Sequence, residues 1–275
     1  MSDEKAVDSQ HPKDIGSAAS QDKQETINME THADHLHKSP GHGWKHYLFE
    51  FLMLFLAVTL GFFVENIREH YNEHQREREY IQSLVADLKN DQDVLTHHIS
   101  HVSMGIAMMD SMINILNTPS QVANNTGELY FLARLAPRLM PLSTNDRTYE
   151  QLKNSGNFRL IDLATSNKIM AYYEKFPIIR LLESINETEF TEYKKAAAKI
   201  FYSAIFLKME GNNDEIKRTS DNPPLQTTDK DLFQEFSAYA VYMHGTKKGI
   251  LGNIEALKIT GAELITYLQK EYQLK

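Results

Sequence analysis

The sequence contains no cysteine. That excludes a disulfide scaffold, a Cys-ligated zinc or iron–sulfur site and thiol catalysis. It assigns no compartment, since a chain without thiols suits reducing and oxidising surroundings alike. Basic residues are outnumbered: 29 Lys and Arg against 37 Asp and Glu leave a net charge of −8. A general nucleic-acid binder is therefore not expected, because neutralising phosphates needs a basic surface. No G-x-x-x-x-G-K-[ST], G-x-G-x-x-G or G-x-S-x-G run occurs, which removes the phosphate loop, the dinucleotide fingerprint and the nucleophile elbow. Also missing are β-alternating runs of useful length and internal repeats. A mean hydropathy of −0.46 rules out a polytopic transporter, which would need several long apolar spans.

What is present divides sharply along the chain. Residues 1–43 are rich in Ser, Gln, Asp, Lys and His and almost free of aromatic or branched apolar residues. Such a segment buries too little surface to offset its ordering entropy and is expected to be a disordered tail. His32, His35, His37, His42 and His46 crowd its end, a tract able to bind metal adventitiously but with nothing to fix its geometry. From Tyr47 to Val64 the chain reads YLFEFLMLFLAVTLGFFV, with the single charge Glu50 near its start. At 1.5 Å per residue this run covers about 27 Å, enough to cross a bilayer core. Trp44 and Tyr47 sit at its edge as interfacial aromatics beside Lys45, which can snorkel. The segment starts too deep in the chain for a signal peptide and lacks a small-x-small cleavage site after it, so residues 44–64 are expected to be an uncleaved transmembrane helix contacting the bilayer through Tyr47–Val64.

Beyond the span, positions 67, 71, 74, 78, 81, 85, 88, 92, 95, 99, 102, 106, 109, 113 and 116 advance by alternating fours and threes. Most are apolar, from Ile67 and Tyr71 through Ile81, Val85 and Leu88 to Ile113 and Leu116. This is the seam of a 3.5-residue repeat, and no proline interrupts it before Pro119. Residues 65–117 thus read as one long helix continuing from the span. Two roles compete for it: a coiled-coil stalk supporting a homo-oligomer through the 67–116 seam, or the first helix of a bundle. Leu84, Met108 and Met112 widen the stripe and favour the bundle for the distal half.

Residues 118–275 read as the helical-bundle body. Helices are expected around Gly127–Leu135 and Asn145–Asn154, the latter closed by Gly156 in a left-handed cap. A long helical segment follows from Asp162 to Met209, kinked or divided by Pro177, then a polar loop over 211–228 and two final helices, Asp229–His244 and Lys247–Tyr272. The fold class is all-α.

Several of these residues form a recognisable set. Glu65, Asn66, Arg68 and Glu69 follow the span, then come Tyr80-Ile81, Ser83-Leu84, Asp87-Leu88 and Asp91. A second block holds Tyr149, Leu152, Ser155-Gly156, Leu160-Ile161 and Tyr172-Tyr173. Over residues 45–175 this resembles a family of uncharacterised single-pass membrane proteins of Bacteroidota. The resemblance implies architecture rather than chemistry: an inner-membrane anchor with the N-terminus cytoplasmic and a helical body in the periplasm. The acidic tail departs from the short basic N-terminus of that family, and the flanking charges (Lys38 and Lys45 before the span; Arg68, Arg76 and Arg78 after it) are nearly balanced.

Two His clusters are the candidates for chemistry. His70-Tyr71-Asn72-Glu73-His74 matches H-x-x-E-H, in which two histidines on one helical face hold zinc and a glutamate polarises its water. Asp93, His97 and His101 form an i, i+4, i+8 stripe that bundles sometimes use for metal. In both cases a solvated helix face explains the residues without a ligand. Tyr149, Tyr172, Tyr173 and Phe176 at helical spacing are expected in the core rather than around a ligand. The sequence implies no cofactor and no enzyme. It favours a non-enzymatic interaction, scaffold or sensory protein of the bacterial envelope, the alternative being a metal-binding protein or metal-dependent hydrolase using the juxtamembrane histidines.

Overall fold

The computed structural model describes residues 43–213 and 215–274, so nearly all of the expected disordered tail lies outside the described residues. The described chain is all-α: α1 (Trp44–Leu116), α2 (Pro119–Val122), α3 (Thr126–Leu135), α4 (Arg147–Asn154), α5 (Leu163–Tyr173), α6 (Phe176–Ile200), α7 (Ser203–Lys208) and α8 (Lys230–Glu271). A 3₁₀ turn, Asn157–Leu160, follows α4. Among the described residues the only extended pairing is an isolated antiparallel bridge between Glu210 and Ile216.

One expectation is met and one is corrected. The segment from Asp162 is divided next to Pro177. It breaks at Glu174–Lys175, and Pro177 sits in the first turn of α6, where a missing N–H costs nothing. The two final helices are one. Gly245 lies inside α8 with open space around it, and the roughly 1 kcal/mol a helical glycine costs is outweighed by burial of Met243 and Ile250 on either side. Gly156 does take the left-handed conformation, at φ 68°. Ser155 Oγ donates to the Gln151 carbonyl at 2.6 Å, and Leu152 is fully buried.

The chain divides into two compact units at Thr59/Leu60. In the first, every described residue is exposed. In the second, α8 runs antiparallel to α1. Ser237 Oγ donates to Asn117 Oδ1 at 3.3 Å, Gln92 Nε2 to the Lys258 carbonyl at 3.2 Å and Tyr272 Oη to Glu77 Oε1 at 2.6 Å. It is antiparallel to α6 as well, with Lys199 paired to Glu235 at 3.0 Å and Thr246 Oγ1 donating to Glu189 Oε1 at 3.0 Å.

This packing divides the heptad seam. Ile81, Val85, Leu88, Leu95, Val102, Ile106 and Met109 are buried inside the bundle, whereas Ile67 and Tyr71 remain exposed. The distal half of the long helix is therefore a bundle helix. Two apolar cores fill the body. One gathers Leu84, Leu88, Leu152, Ile169, Tyr172, Ile254 and Leu257. The other gathers Met109, Met112, Tyr130, Tyr193, Phe201, Phe236 and Met243. Burial of such side chains, about 1.5–3 kcal/mol each, is what holds an otherwise polar-faced set of helices together.

Candidate functional site

The candidate metal ligands do not converge. His70 and His74 lie on an exposed turn of α1 with ring centroids 6.1 Å apart. Glu73 faces Arg159 at 3.8 Å, and His74 Nδ1 lies 3.2 Å from Glu77 Oε2. Asp93, His97 and His101 are all exposed on α1. Among the described residues no group of three or more His, Cys, Asp or Glu is placed to hold a metal ion. The aromatic set packs on itself. Tyr149 stacks on Tyr173 at 3.9 Å and Tyr172 meets Phe176 edge-on at 5.6 Å, inside the first core.

The polar chemistry lies in three other places. The first is a carboxylate pair on α1. Asp87 and Asp91, one helical turn apart, receive the start of α4. Asp87 accepts from Asn145 Nδ2 and Thr148 Oγ1, each at 2.5 Å, and from the Thr148 N–H at 3.3 Å. Asp91 Oδ1 accepts the Asn145 N–H at 2.8 Å. A side-chain oxygen from another helix thus satisfies the Thr148 N–H at the start of α4, which its own N-cap, Asp146, leaves open. Asp91 is fully buried, and its Oδ2 and the hydroxyls of Tyr172 and Tyr173 have no hydrogen-bond partner. Desolvation pushes the Asp91 carboxyl up to about 6, with Asp87 and Asp146 adding repulsion against the Asn145 bond. The same burial raises both tyrosines above their ordinary range.

The second place is where α8 passes from one core to the other. Lys247 is completely buried there. Its Nζ donates to the Arg138 carbonyl at 2.8 Å, and a Cβ on Gly105 would sit 3.6 Å from that nitrogen. Among the described residues no carboxylate pairs with it. Desolvation alone brings its pKa down to about 8. His98, also buried, has its Nε2 without a partner and is pushed down by desolvation, then by His101 and Lys247.

The third place is a cavity of about 650 Å³ at the α2 end of the second unit. Leu116, Val122, Pro224, Leu225 and Phe233 supply its apolar walls, and Lys230 is the one charged residue lining it. Thr126, at 7% exposure, lines it too, and its Oγ1 is buried with no hydrogen-bond partner. Close backbone contact shapes the neighbouring strap: a Cβ on Gly127 would collide with the Asp221 carbonyl, and the Gly127 N–H donates to Asn222 Oδ1 at 3.1 Å.

Sequence patterning missed all three as sites. Lys247 had a visible signal, a cation four residues after Met243 and three before Ile250 in an apolar stripe. The cavity had none, because it forms between segments far apart in the sequence, Leu116 to Thr126 and Pro224 to Gln234.

These features define an all-α bundle protein with, among the described residues, one helix long and apolar enough to cross a membrane, α1, whose eighteen-residue apolar stretch has a mean hydropathy of 2.2 and is wholly exposed. No protein-family model, curated protein or solved structure matches the chain.

Proposed function

We propose that this is a single-pass membrane protein whose helical body serves a non-enzymatic interaction, scaffolding or sensory role in a bacterial envelope. The bilayer contact runs from Tyr47 to Val64, with the N-terminus cytoplasmic and the body periplasmic. One observation carries the reading: Phe49, Phe51, Leu54, Phe55, Leu60, Phe62, Phe63 and Val64 are all exposed, each by half or more. At about 1.5–3 kcal/mol per large apolar side chain, water is an untenable solvent for that surface, and lipid is the solvent it matches. The resemblance to the Bacteroidota single-pass family belongs with this reading.

The full-length protein is expected to stay with membranes through alkaline carbonate extraction and to be released when Leu54, Phe55 and Leu60 are all changed to Asp. A C-terminal reporter active only in the periplasm fixes the orientation. Release of the unaltered chain by carbonate overturns the anchor. Stoichiometric zinc, lost on changing His70 and His74 to Ala, overturns the non-enzymatic reading.

The uncovered start of the seam predicts self-association. Ile67 and Tyr71 are 55% and 64% exposed on one face of α1, and burying them against a second copy removes about 1–3 kcal/mol of apolar exposure per chain. Cross-linking in native membranes is expected to give a dimer band that Ile67→Asp with Tyr71→Asp abolishes. An unchanged monomer in both proteins defeats the idea.

A further inference from the structure

We infer that the strap joining α3 to α4, residues 138–146, is an acid-tightened clasp: it holds closed when a buried carboxyl beneath it carries a proton and opens locally when that carboxyl is ionised. The inference goes beyond the proposed anchoring and interaction role and stands without either. The strap belongs to no helix, and among the described residues no backbone–backbone hydrogen bond engages Leu139 to Asn145. Charged side chains fasten it instead. Lys247 Nζ donates to the Arg138 carbonyl at 2.8 Å. Further on, the Leu142 N–H donates to Glu183 Oε1 at 2.7 Å. The far end is held by Asp91, which accepts the Asn145 N–H at 2.8 Å, and by Asp87, which accepts from the Asn145 amide. Closure over α6 is incomplete. A cavity of about 150 Å³ lies between Leu142, Ser143 and Thr144 on the strap and Phe176, Ile179, Arg180 and Glu183 on α6. A segment tied by so few bonds opens at a lower cost than the cores on either side.

Asp91 is the fastener least provided for. It is completely buried, its one hydrogen bond comes from Asn145, and Oδ2 is left without a partner, as are the Tyr172 and Tyr173 hydroxyls of α5. The charges that face it give no relief. Asp87 on α1 and Asp146 at the end of the strap both repel it. The cations nearby are engaged elsewhere: Arg180 of α6 lies 3.8 Å from Asp146, and Arg147 Nε donates to Asn145 Oδ1 at 2.9 Å. From α8 comes Gly261, packed on Tyr172, and no charge that acts on Asp91. Any opening that admits water therefore favours the ionised carboxyl, while the protonated one gains nothing from it.

The sign follows from proton binding. In the closed strap the Asp91 carboxyl is raised from 3.8 to about 6, so the closed form holds the proton more tightly than the open one. Closure strengthens as pH falls from about 6 toward 4, by up to about tenfold per pH unit, and Asp91 adds no slope above that window. Burial raises the Glu183 carboxyl as well, which acts in the same direction.

The test is hydrogen–deuterium exchange of the full-length protein in mild detergent across pH 4–7.5, read by mass spectrometry and corrected for the intrinsic pH dependence of amide exchange. Peptides covering the Leu142, Asn145 and Thr148 amides are expected to lose protection, up to about tenfold per pH unit, as pH rises from 4 to 6 and to level off above it. Peptides around Ile250 and Ile254 in α8 should keep theirs. Asp91→Asn, which retains a carbonyl for Asn145, should flatten the strap profile, and Glu183→Gln should lessen its slope. If Asp91→Asn fails to fold, judged by helical circular dichroism, the profile of the unaltered protein decides the matter. Three results would overturn the inference. Strap protection that grows from pH 4 to 6 would make the carboxylates ordinary caps. The same pH dependence in the strap and in α8 would mean global unfolding without a local clasp. An undiminished slope in a folded Asp91→Asn protein would remove Asp91 as the group that sets it.

Discussion

Replacing Lys247 by Met is expected to raise the unfolding free energy at pH 7 by about 2 kcal/mol. The ammonium is taken wholly out of water with a single carbonyl for company. A drop of its pKa from 10.5 to about 8 corresponds to about 3 kcal/mol of preference for the neutral amine in the folded state. At pH 7 the group is nonetheless charged, so that penalty is present in full. Methionine keeps the unbranched chain between the two cores and discards the charge, and the imperfect fit of such a swap returns less than about 1.5 kcal/mol.

The pH dependence gives an independent reading of the same group. Below pH 8 folded and unfolded chains both hold the proton and no slope arises. Between about pH 8 and 10 the unfolded chain binds more protons, so stability rises with pH by up to about 1.4 kcal/mol per pH unit. Above pH 10 the trend reverses. Tyr172, Tyr173, Tyr193 and Tyr272 keep their protons when folded and lose them when unfolded. Urea unfolding of the full-length protein in mild detergent, followed by far-ultraviolet circular dichroism, measures both effects. The single tryptophan, Trp44, lies in the other unit and does not report on the bundle. Lys247→Met should abolish the rise between pH 8 and 10. A loss of stability of similar size would mean instead that the Lys247–Arg138 bond is worth more than the charge costs.

How much of this was legible depends on the range over which each feature is determined. The apolar run at Tyr47–Val64, the seam from Ile81 to Leu116 and the left-handed Gly156 are local patterns, and periodicity or a single residue's backbone freedom suffices to read them. The continuity of α8 was not readable. Gly245 and Thr246 argue for a break, and only the antiparallel neighbours α1 and α6, which bury Met243 and Ile250, overrule them. The break before α6 was readable to within a few residues: Pro177 marks the first turn of the following helix rather than the end of the preceding one. Site prediction fared differently, because it ranked residues by chemical type. The histidines that drew attention sit on solvated turns, while the groups under electrostatic stress are a lysine, a histidine and an aspartate inside the bundle. Burial, which a single sequence does not display residue by residue, is what gives Lys247, His98 and Asp91 their character.

The two aspartates that receive α4 are expected to respond in opposite senses to the same substitution. Asp87 is well partnered: it accepts three hydrogen bonds at the start of α4. Asp87→Asn turns one acceptor into a donor facing the Thr148 N–H or Asn145 Nδ2, and the orphaned groups cost about 2–4 kcal/mol. Asp91 accepts one backbone N–H and leaves its second oxygen buried beside two unpartnered tyrosine hydroxyls. With its pKa raised from 3.8 to about 6, holding it ionised at pH 7 costs about 3 kcal/mol. Asp91→Asn keeps the carbonyl for Asn145, supplies a donor to the tyrosine side and should stabilise the protein at pH 7 by about 2 kcal/mol. The sign with pH follows. Between 3.8 and about 6 the folded chain binds more protons than the unfolded one, so the Asp91 contribution grows as pH falls through that window and disappears in Asp91→Asn. Asp162 works the other way, since bonds from Thr165 and Ala164 hold its carboxyl below the ordinary range and its share is lost at lower pH. The two are separated by comparing wild type with Asp91→Asn across pH 4–7 by urea unfolding. Equal destabilisation by Asp87→Asn and Asp91→Asn would show that both carboxylates serve alike as caps, and that the burial of Asp91 carries no penalty the fold has left unrelieved.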